Sequence, residues 1–108
     1  MPSPHLHMEL EMTTTLRIEH AISDYDTWKT AFDRDPANRK QSGVRRYSIC
    51  RPVDDPEYVM LDLDFDTMSE AEAMLTRLHE IWQSPAAAPA LAGAPQTRII
   101  DTVEATEV

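Results

Sequence analysis

Residues 58–70 read Tyr-Val-Met-Leu-Asp-Leu-Asp-Phe-Asp-Thr-Met-Ser-Glu, and this stretch decides the fold. Its first eight residues alternate in polarity, which predicts a strand over residues 58–65 with one apolar face and one acidic face. Directly afterwards, segments 67–70 and 69–72 both fit a capping box, in which a hydroxyl and a carboxylate three residues apart satisfy the first N–H groups of a helix. The sequence therefore predicts a half-buried strand that passes straight into a helix.

The same order of strand and helix lies upstream. Residues 15–22 alternate, which predicts a first strand whose apolar face carries Leu16, Ile18, His20 and Ile22. Ser23 or Asp24 is expected to cap a helix that ends at Asp35-Pro36, because the residue before a proline is pushed out of the helical region. The apolar stripe of this helix comprises Tyr25, Trp28, Ala31 and Phe32. A polar loop then leads to a second strand at about residues 44–51.

The downstream part completes the pattern. The second helix has a buried stripe that comprises Ala71, Met74, Leu75, Leu78, Ile81 and Trp82. The alanine- and proline-rich segment 84–95 cannot form one regular element, and a last strand is expected at about residues 97–103. The order βαββαβ predicts a ferredoxin-like α+β fold, an antiparallel four-stranded sheet with two helices on one face. We expect one domain over residues 14–104, a disordered tail over 1–13 and a frayed end over 105–108.

Composition excludes several classes of protein. The chain has 108 residues, a net charge of −9 and a single cysteine, Cys50. The negative charge argues against binding to nucleic acid or to an anionic membrane, and one cysteine allows neither an internal disulfide nor a multi-cysteine metal site. The first residues lack the pattern of an export signal, so the cytoplasm is the expected location. No P-loop or glycine-rich dinucleotide fingerprint is present, and we expect no metal and no cofactor.

Six of the ten basic residues nevertheless lie between Arg34 and Arg51. This basic cluster is where an anionic small molecule would meet an attractive field, and Arg46 within it is a candidate ligand-binding cation. Pairing with the carboxylates nearby is the alternative explanation of the cluster.

The element order, the Tyr25-Trp28-Phe32 helix, the Asp-rich third strand and the capped second helix resemble the dimeric α/β-barrel superfamily. That superfamily includes antibiotic-biosynthesis monooxygenase-like proteins and small polyketide cyclases. The resemblance implies a homodimer whose two sheets face each other, with one pocket per subunit between sheet and helices. Some relatives place a working histidine on or near the second helix, a position that His79 resembles loosely, and the haem-degrading relatives make haem binding a weaker third possibility.

The candidate catalytic residue is His20, because the parity of the first strand carries it into the layer between sheet and helices. Desolvation there would tune its pKa for proton transfer, with Tyr47 or His79 assisting. Trp28, Phe32 and Trp82 are the candidate ligand-binding aromatics. The alternatives are a structural histidine bonded to a backbone carbonyl, and aromatic side chains that fill the core.

The opposite face of the sheet is predicted to carry charges: Arg17, Glu19, Asp62 and Asp64. Depending on the register of the second strand, either Arg46 or the pair Arg45 and Arg51 joins them, together with Met60 and either Ile49 or Val44. Asp62 and Asp64 are either paired carboxylates for acid/base chemistry or part of an ionic ladder, and we expect Arg17 or Arg46 to pair with them across the two-fold axis of a homodimer.

Two functions follow from these patterns. The first is a cofactor-free accessory enzyme of the cyclase, isomerase or monooxygenase type that acts on an aromatic or polyketide-like substrate. The second is a non-catalytic binding or assembly protein with a filled core. A cavity of several hundred cubic ångströms beside His20 would favour the first.

Overall fold

The computed structural model describes residues 13–87 and 90–108. In chain order the elements are strand β1 (Thr14–Ala21), helix α1 (Tyr25–Asp33), β2 (Arg46–Cys50), β3 (Tyr58–Phe65), α2 (Met68–Trp82) and β4 (Gln96–Asp101). The predicted disordered tail lies outside the described residues except for Thr13, whose carbonyl accepts a hydrogen bond from the Thr102 backbone N–H at 3.0 Å. No helix of the described ranges is long and apolar enough to cross a membrane.

The four strands form one sheet in the order β2-β3-β1-β4, and every neighbouring pair is antiparallel. One face of this sheet contributes the buried side chains Leu16, Ile18, Val59, Leu61, Leu63 and Phe65 to the core. Both helices contribute to the same cluster, α1 through Trp28 and Phe32 and α2 through Ala71 and Met74. The two helices therefore cover one face of the sheet, which confirms the predicted ferredoxin-like α+β fold.

The helix ends follow from local hydrogen bonds. Asp24 is the N-cap of α1, and its carboxylate accepts from the Thr27 N–H at 2.9 Å. This bond holds the pKa of Asp24 below its usual value. Thr67 is the N-cap of α2, where its hydroxyl oxygen accepts from the Glu70 N–H at 3.2 Å and its O–H donates to the Glu70 carboxylate at 3.1 Å. Asp35 has a φ of 54°, so the chain leaves the helical region immediately before Pro36, as predicted.

The strand ends differ from the predictions by one to two residues. The predicted β3 is observed without change, whereas β2 begins at Arg46 because the Val44 N–H bonds to the Arg39 carbonyl at 3.0 Å in the preceding turn. β4 ends at Asp101, opposite Thr14, the first residue of β1. The ends of a strand depend on which backbone N–H and C=O groups find partners in the neighbouring strand. The polarity pattern of one strand does not contain that information.

The register of β2 settles the alternatives for the uncovered face, which we call the open face. Arg46 lies opposite Asp64 and Ser48 opposite Asp62, so Arg46 is the basic residue of β2 on this face. The expectation that Ile49 or Val44 also lies there is wrong, since both pack against the core on the helix side.

Candidate functional site

A cavity of about 420 Å³ lies between the covered face of the sheet and the two helices. Its wall is mostly apolar and includes Ile18, Leu61 and Leu63 from the sheet and Met74 and Leu78 from α2. Volumes of this size are typical of small-molecule sites. The cavity adjoins His20, which favours a ligand site over a filled core.

His20 is 4% exposed and lines the cavity. Its Nδ1 lies 2.8 Å from the Ala21 carbonyl oxygen. A carbonyl oxygen can only accept, so Nδ1 carries the proton and Nε2 keeps its lone pair. Burial lowers the pKa of His20, and the bond to the Ala21 carbonyl opposes that shift only in part. The imidazole is therefore a neutral hydrogen-bond acceptor near pH 7.

The second ring nitrogen of His20, Nε2, has no hydrogen-bond partner among the residues that the structure describes. Nδ1 is the ring nitrogen that has one. The residue itself borders the cavity.

Aromatic rings extend from His20 along α1. The His20 and Trp28 ring centroids are 6.4 Å apart, and Trp28 stacks on Phe32 with the centroids at 5.2 Å and the planes inclined by 7°. We call Trp28 and Phe32 the aromatic wall; both line the cavity, as does Trp82 from α2. Their spacing places them one helical turn apart on the covered side of α1, where the stacked pair offers an apolar surface to a ligand.

Three charged side chains line the same cavity: Arg34, Arg39 and Glu80. The Arg39 guanidinium lies over the Phe32 ring, with Cζ 3.7 Å from the ring centroid, and its Nη1 donates to the Phe32 carbonyl at 2.8 Å. The basic cluster that contains both arginines is visible in the sequence. Which of its members line the cavity could not be predicted, because the loop after α1 has no period from which a side-chain direction follows.

The other predicted site residues lie elsewhere. Tyr47 is 47% exposed and meets the Phe32 ring edge-on at 5.0 Å without lining the cavity. His79 is exposed on α2 and contacts Trp82 edge-on at 5.7 Å. Arg46 lies on the open face, away from the cavity. Of the predicted set, the structure therefore brings His20, Trp28, Phe32 and Trp82 together.

The charges of the open face form ion pairs within one chain. Arg17 donates two hydrogen bonds of 2.9 Å to Asp62, which raise its own pKa, and Arg46 lies 3.3 Å from Asp64. The Thr15 hydroxyl also donates to Asp64, at 2.6 Å. Each carboxylate has its own guanidinium, which is the arrangement of an ionic ladder. These pairs join neighbouring strands of one chain, and pairing across a two-fold axis stays a prediction.

Glu19, the remaining charged residue predicted for this face, accepts a hydrogen bond of 2.8 Å from the Tyr58 hydroxyl, and this bond raises the pKa of Tyr58.

Cys50 is exposed at the end of β2. Within residues 13–87 and 90–108, no group of three or more His, Cys, Asp or Glu side chains is placed to hold a metal ion.

Comparison with known proteins places this geometry in a structural class. No family model and no curated protein sequence matches the chain. Solved structures do match. A putative antibiotic biosynthesis monooxygenase from Nitrosomonas europaea is 19% identical, with a TM-score of 0.60 over 90% of this chain and 96% of that one. SnoaB, a cofactor-independent oxygenase from Streptomyces nogalater, is 11% identical, with a TM-score of 0.65 over 90% and 96%.

A dimeric ferredoxin-like protein from an uncultured marine organism is 14% identical, with a TM-score of 0.60 over 89% of this chain and all of that one. Identities this low establish the fold alone. The chain has the ferredoxin-like fold of antibiotic biosynthesis monooxygenase-like proteins, which confirms the resemblance inferred from its element order.

Proposed function

We propose that the protein is a cofactor-free enzyme that binds a flat aromatic or polyketide-like molecule in the cavity and removes a proton from it through His20. The observation that carries the proposal is that His20, with its proton held on Nδ1, lines an apolar cavity of about 420 Å³. Since Nδ1 is held by the Ala21 carbonyl, the ring presents its basic nitrogen in one orientation. A general base must be held within hydrogen-bond reach of the proton that it removes.

The low polarity of the cavity suits this chemistry. Burial keeps the imidazole neutral, so the base is available at neutral pH without prior loss of a proton. The anion formed on the substrate would delocalise over its rings, which lie against the aromatic wall. The oxygenase activity of SnoaB favours molecular oxygen as the second reactant, because an electron-rich carbanion or phenolate can react with oxygen directly.

Anthrone is a probe with the required acidity. In the proposed reaction His20 takes a proton from the C10 methylene, the carbanion forms a C–O bond with oxygen, and the resulting hydroperoxide loses water. The products are one anthraquinone and one water for each anthrone and oxygen consumed, so the substrate carbon is oxidised and oxygen is reduced. No reducing cofactor is required.

The test compares two histidine variants by anthrone-dependent oxygen uptake and anthraquinone absorbance. His20→Gln is expected to lower kcat/KM by about 10²–10⁴-fold, the usual contribution of a general base. His79→Gln is the matched control, because His79 is exposed and does not line the cavity. Equal turnover by the wild type and the His20 variant, with both folded, would remove His20 from the mechanism.

A further inference from the structure

The aromatic wall has a base at one end and a cation at the other. His20 contacts Trp28, Trp28 stacks on Phe32, and the Arg39 guanidinium covers Phe32, with successive separations of 6.4, 5.2 and 3.7 Å. A flat ligand that lies along the side of this column of rings would therefore have one edge near His20 and the other near the Arg39 guanidinium. These two polar ends have opposite chemistry, since the His20 imidazole can accept a proton and the Arg39 guanidinium can only donate hydrogen bonds.

Arg39 is held in advance of any ligand. Its side chain is 18% exposed, its plane rests on Phe32, and its Nη1 is fixed by the Phe32 carbonyl. Its Nε and Nη2 donors have no hydrogen-bond partner among the residues that the structure describes. A guanidinium that is already ordered loses little side-chain entropy when it binds a carboxylate, and its planar fork matches the two carboxylate oxygens.

The charges around the cavity agree with an anionic group at this end. Two guanidinium groups, Arg34 and Arg39, line the cavity against one carboxylate, Glu80. Asp35 approaches Arg39 at 3.5 Å and neutralises part of its charge. Arg34 is exposed at the cavity, and its side chain has neither an ion pair nor a hydrogen bond within the described ranges. Among the charged residues that line the cavity, cations therefore exceed anions by one, in a chain of net charge −9.

We propose that the substrate is an aromatic carboxylic acid, whose carboxylate is bound by Arg39 with support from Arg34 while the proton that is removed faces His20. This inference rests on the proposed function, because it assigns the second end of the same ligand. It makes Arg39 a specificity-determining residue. It also sets the orientation of the ligand, since the reverse orientation would place a carboxylate in the apolar end of the cavity, at a large desolvation cost.

The experiment measures binding of two acids and their methyl esters by quenching of tryptophan fluorescence at pH 7. The probes are 6-hydroxy-2-naphthoic acid and 9,10-anthraquinone-2-carboxylic acid. We expect the wild type to bind each acid at least about tenfold more tightly than its ester, because a charge-assisted bidentate contact is lost on esterification. Arg39→Gln is expected to abolish this preference, and Arg34→Gln to reduce it by about threefold.

Lys40→Gln is the matched control, because it removes one positive charge from the same loop at a residue that does not line the cavity. The acid preference should survive in this variant. The affinities of the wild type for acid and ester can be compared without any variant. This comparison therefore tests the inference even if Arg39→Gln loosens the loop that Arg39 anchors.

Equal affinity for acid and ester in the wild type would overturn the inference and leave the proposed function standing, with Arg39 serving only to fix the loop. Persistence of the acid preference in folded Arg39→Gln would overturn it in the same way. Failure of both acids and both esters to bind would overturn the proposed function as well, because the cavity would then hold no aromatic ligand.

Discussion

At the scale of single residues, the proposed chemistry depends on His20. Of the β1 side chains that face the helices, it is the titratable one; the others are Thr14, Leu16 and Ile18. The Ala21 carbonyl fixes its proton on Nδ1, and burial favours the neutral ring. The residue therefore combines a defined tautomer with an open lone pair, whereas a histidine fully satisfied by the core would present neither ring nitrogen to a ligand.

The lowered pKa of His20 has a consequence for stability. Burial places the folded-state pKa below the ordinary value near 6.5, so at pH values between the two the unfolded chain binds the proton more readily. The contribution of His20 is fully present above about pH 6.5 and is lost as the pH falls through the folded-state pKa. Urea unfolding of the wild type from pH 8 to pH 5 should show this decline.

The decline should be smaller in His20→Gln, which has no titrating ring, and unchanged in His79→Gln. If the free energy of unfolding falls equally with pH in the wild type and in His20→Gln, the pKa of His20 is the same in the folded and the unfolded chain. That result would contradict the argument from burial.

The parity of β1 was sufficient to predict that His20 enters the layer beneath the helices, and the spacing along each helix was sufficient for Trp28, Phe32 and Trp82. The roles of Arg34 and Arg39 could not be predicted, because they follow from how the loop after α1 folds back over Phe32. Arg46 was assigned to the ligand from charge alone, and the register of β2, which no local pattern specifies, places it on the other face.

At the scale of elements, the loop after α1 and the start of α2 depend on each other. Gly43 has a φ of 101°, a conformation that favours glycine. A Cβ at this position would collide with the side chain of Glu70, whose carboxylate accepts the Thr67 hydroxyl in the capping box. The capping box was predictable from sequence, but this contact between the box and a distant loop was not.

Gly43→Ala should lower the free energy of unfolding by about 1–3 kcal/mol, since it adds backbone strain and displaces the capping carboxylate. Gly93→Ala is the matched control, because its Cβ would meet only the Ala21 Cβ at an ordinary 3.8 Å, and it should stay within about 1 kcal/mol of the wild type. Urea unfolding measures both. Similar losses in the two variants would contradict the argument from φ and Glu70.

At the scale of the whole molecule, the open face is where we expect a second subunit to pack, because the helices leave it uncovered. The Arg17–Asp62 and Arg46–Asp64 pairs are already formed within one chain, so a homodimer would bury neutralised charges instead of creating new pairs. Asp62→Lys would break a β1–β3 contact as well as disturb an interface. It therefore cannot test the dimer by itself.

The central claim is that each subunit of a homodimer binds one aromatic ligand in the cavity beside His20. Native mass spectrometry at micromolar protein with 9,10-anthraquinone-2-carboxylic acid tests it most directly. The comparison includes Ala31→Trp, which places a bulky ring in the cavity, and Ala73→Trp, its control on the exposed side of α2. The wild type and Ala73→Trp should appear at twice the chain mass of 12.3 kDa with two ligands bound, and Ala31→Trp as a dimer without ligand. A wild-type monomer, or an Ala31→Trp dimer that still retains two ligands, would contradict the account.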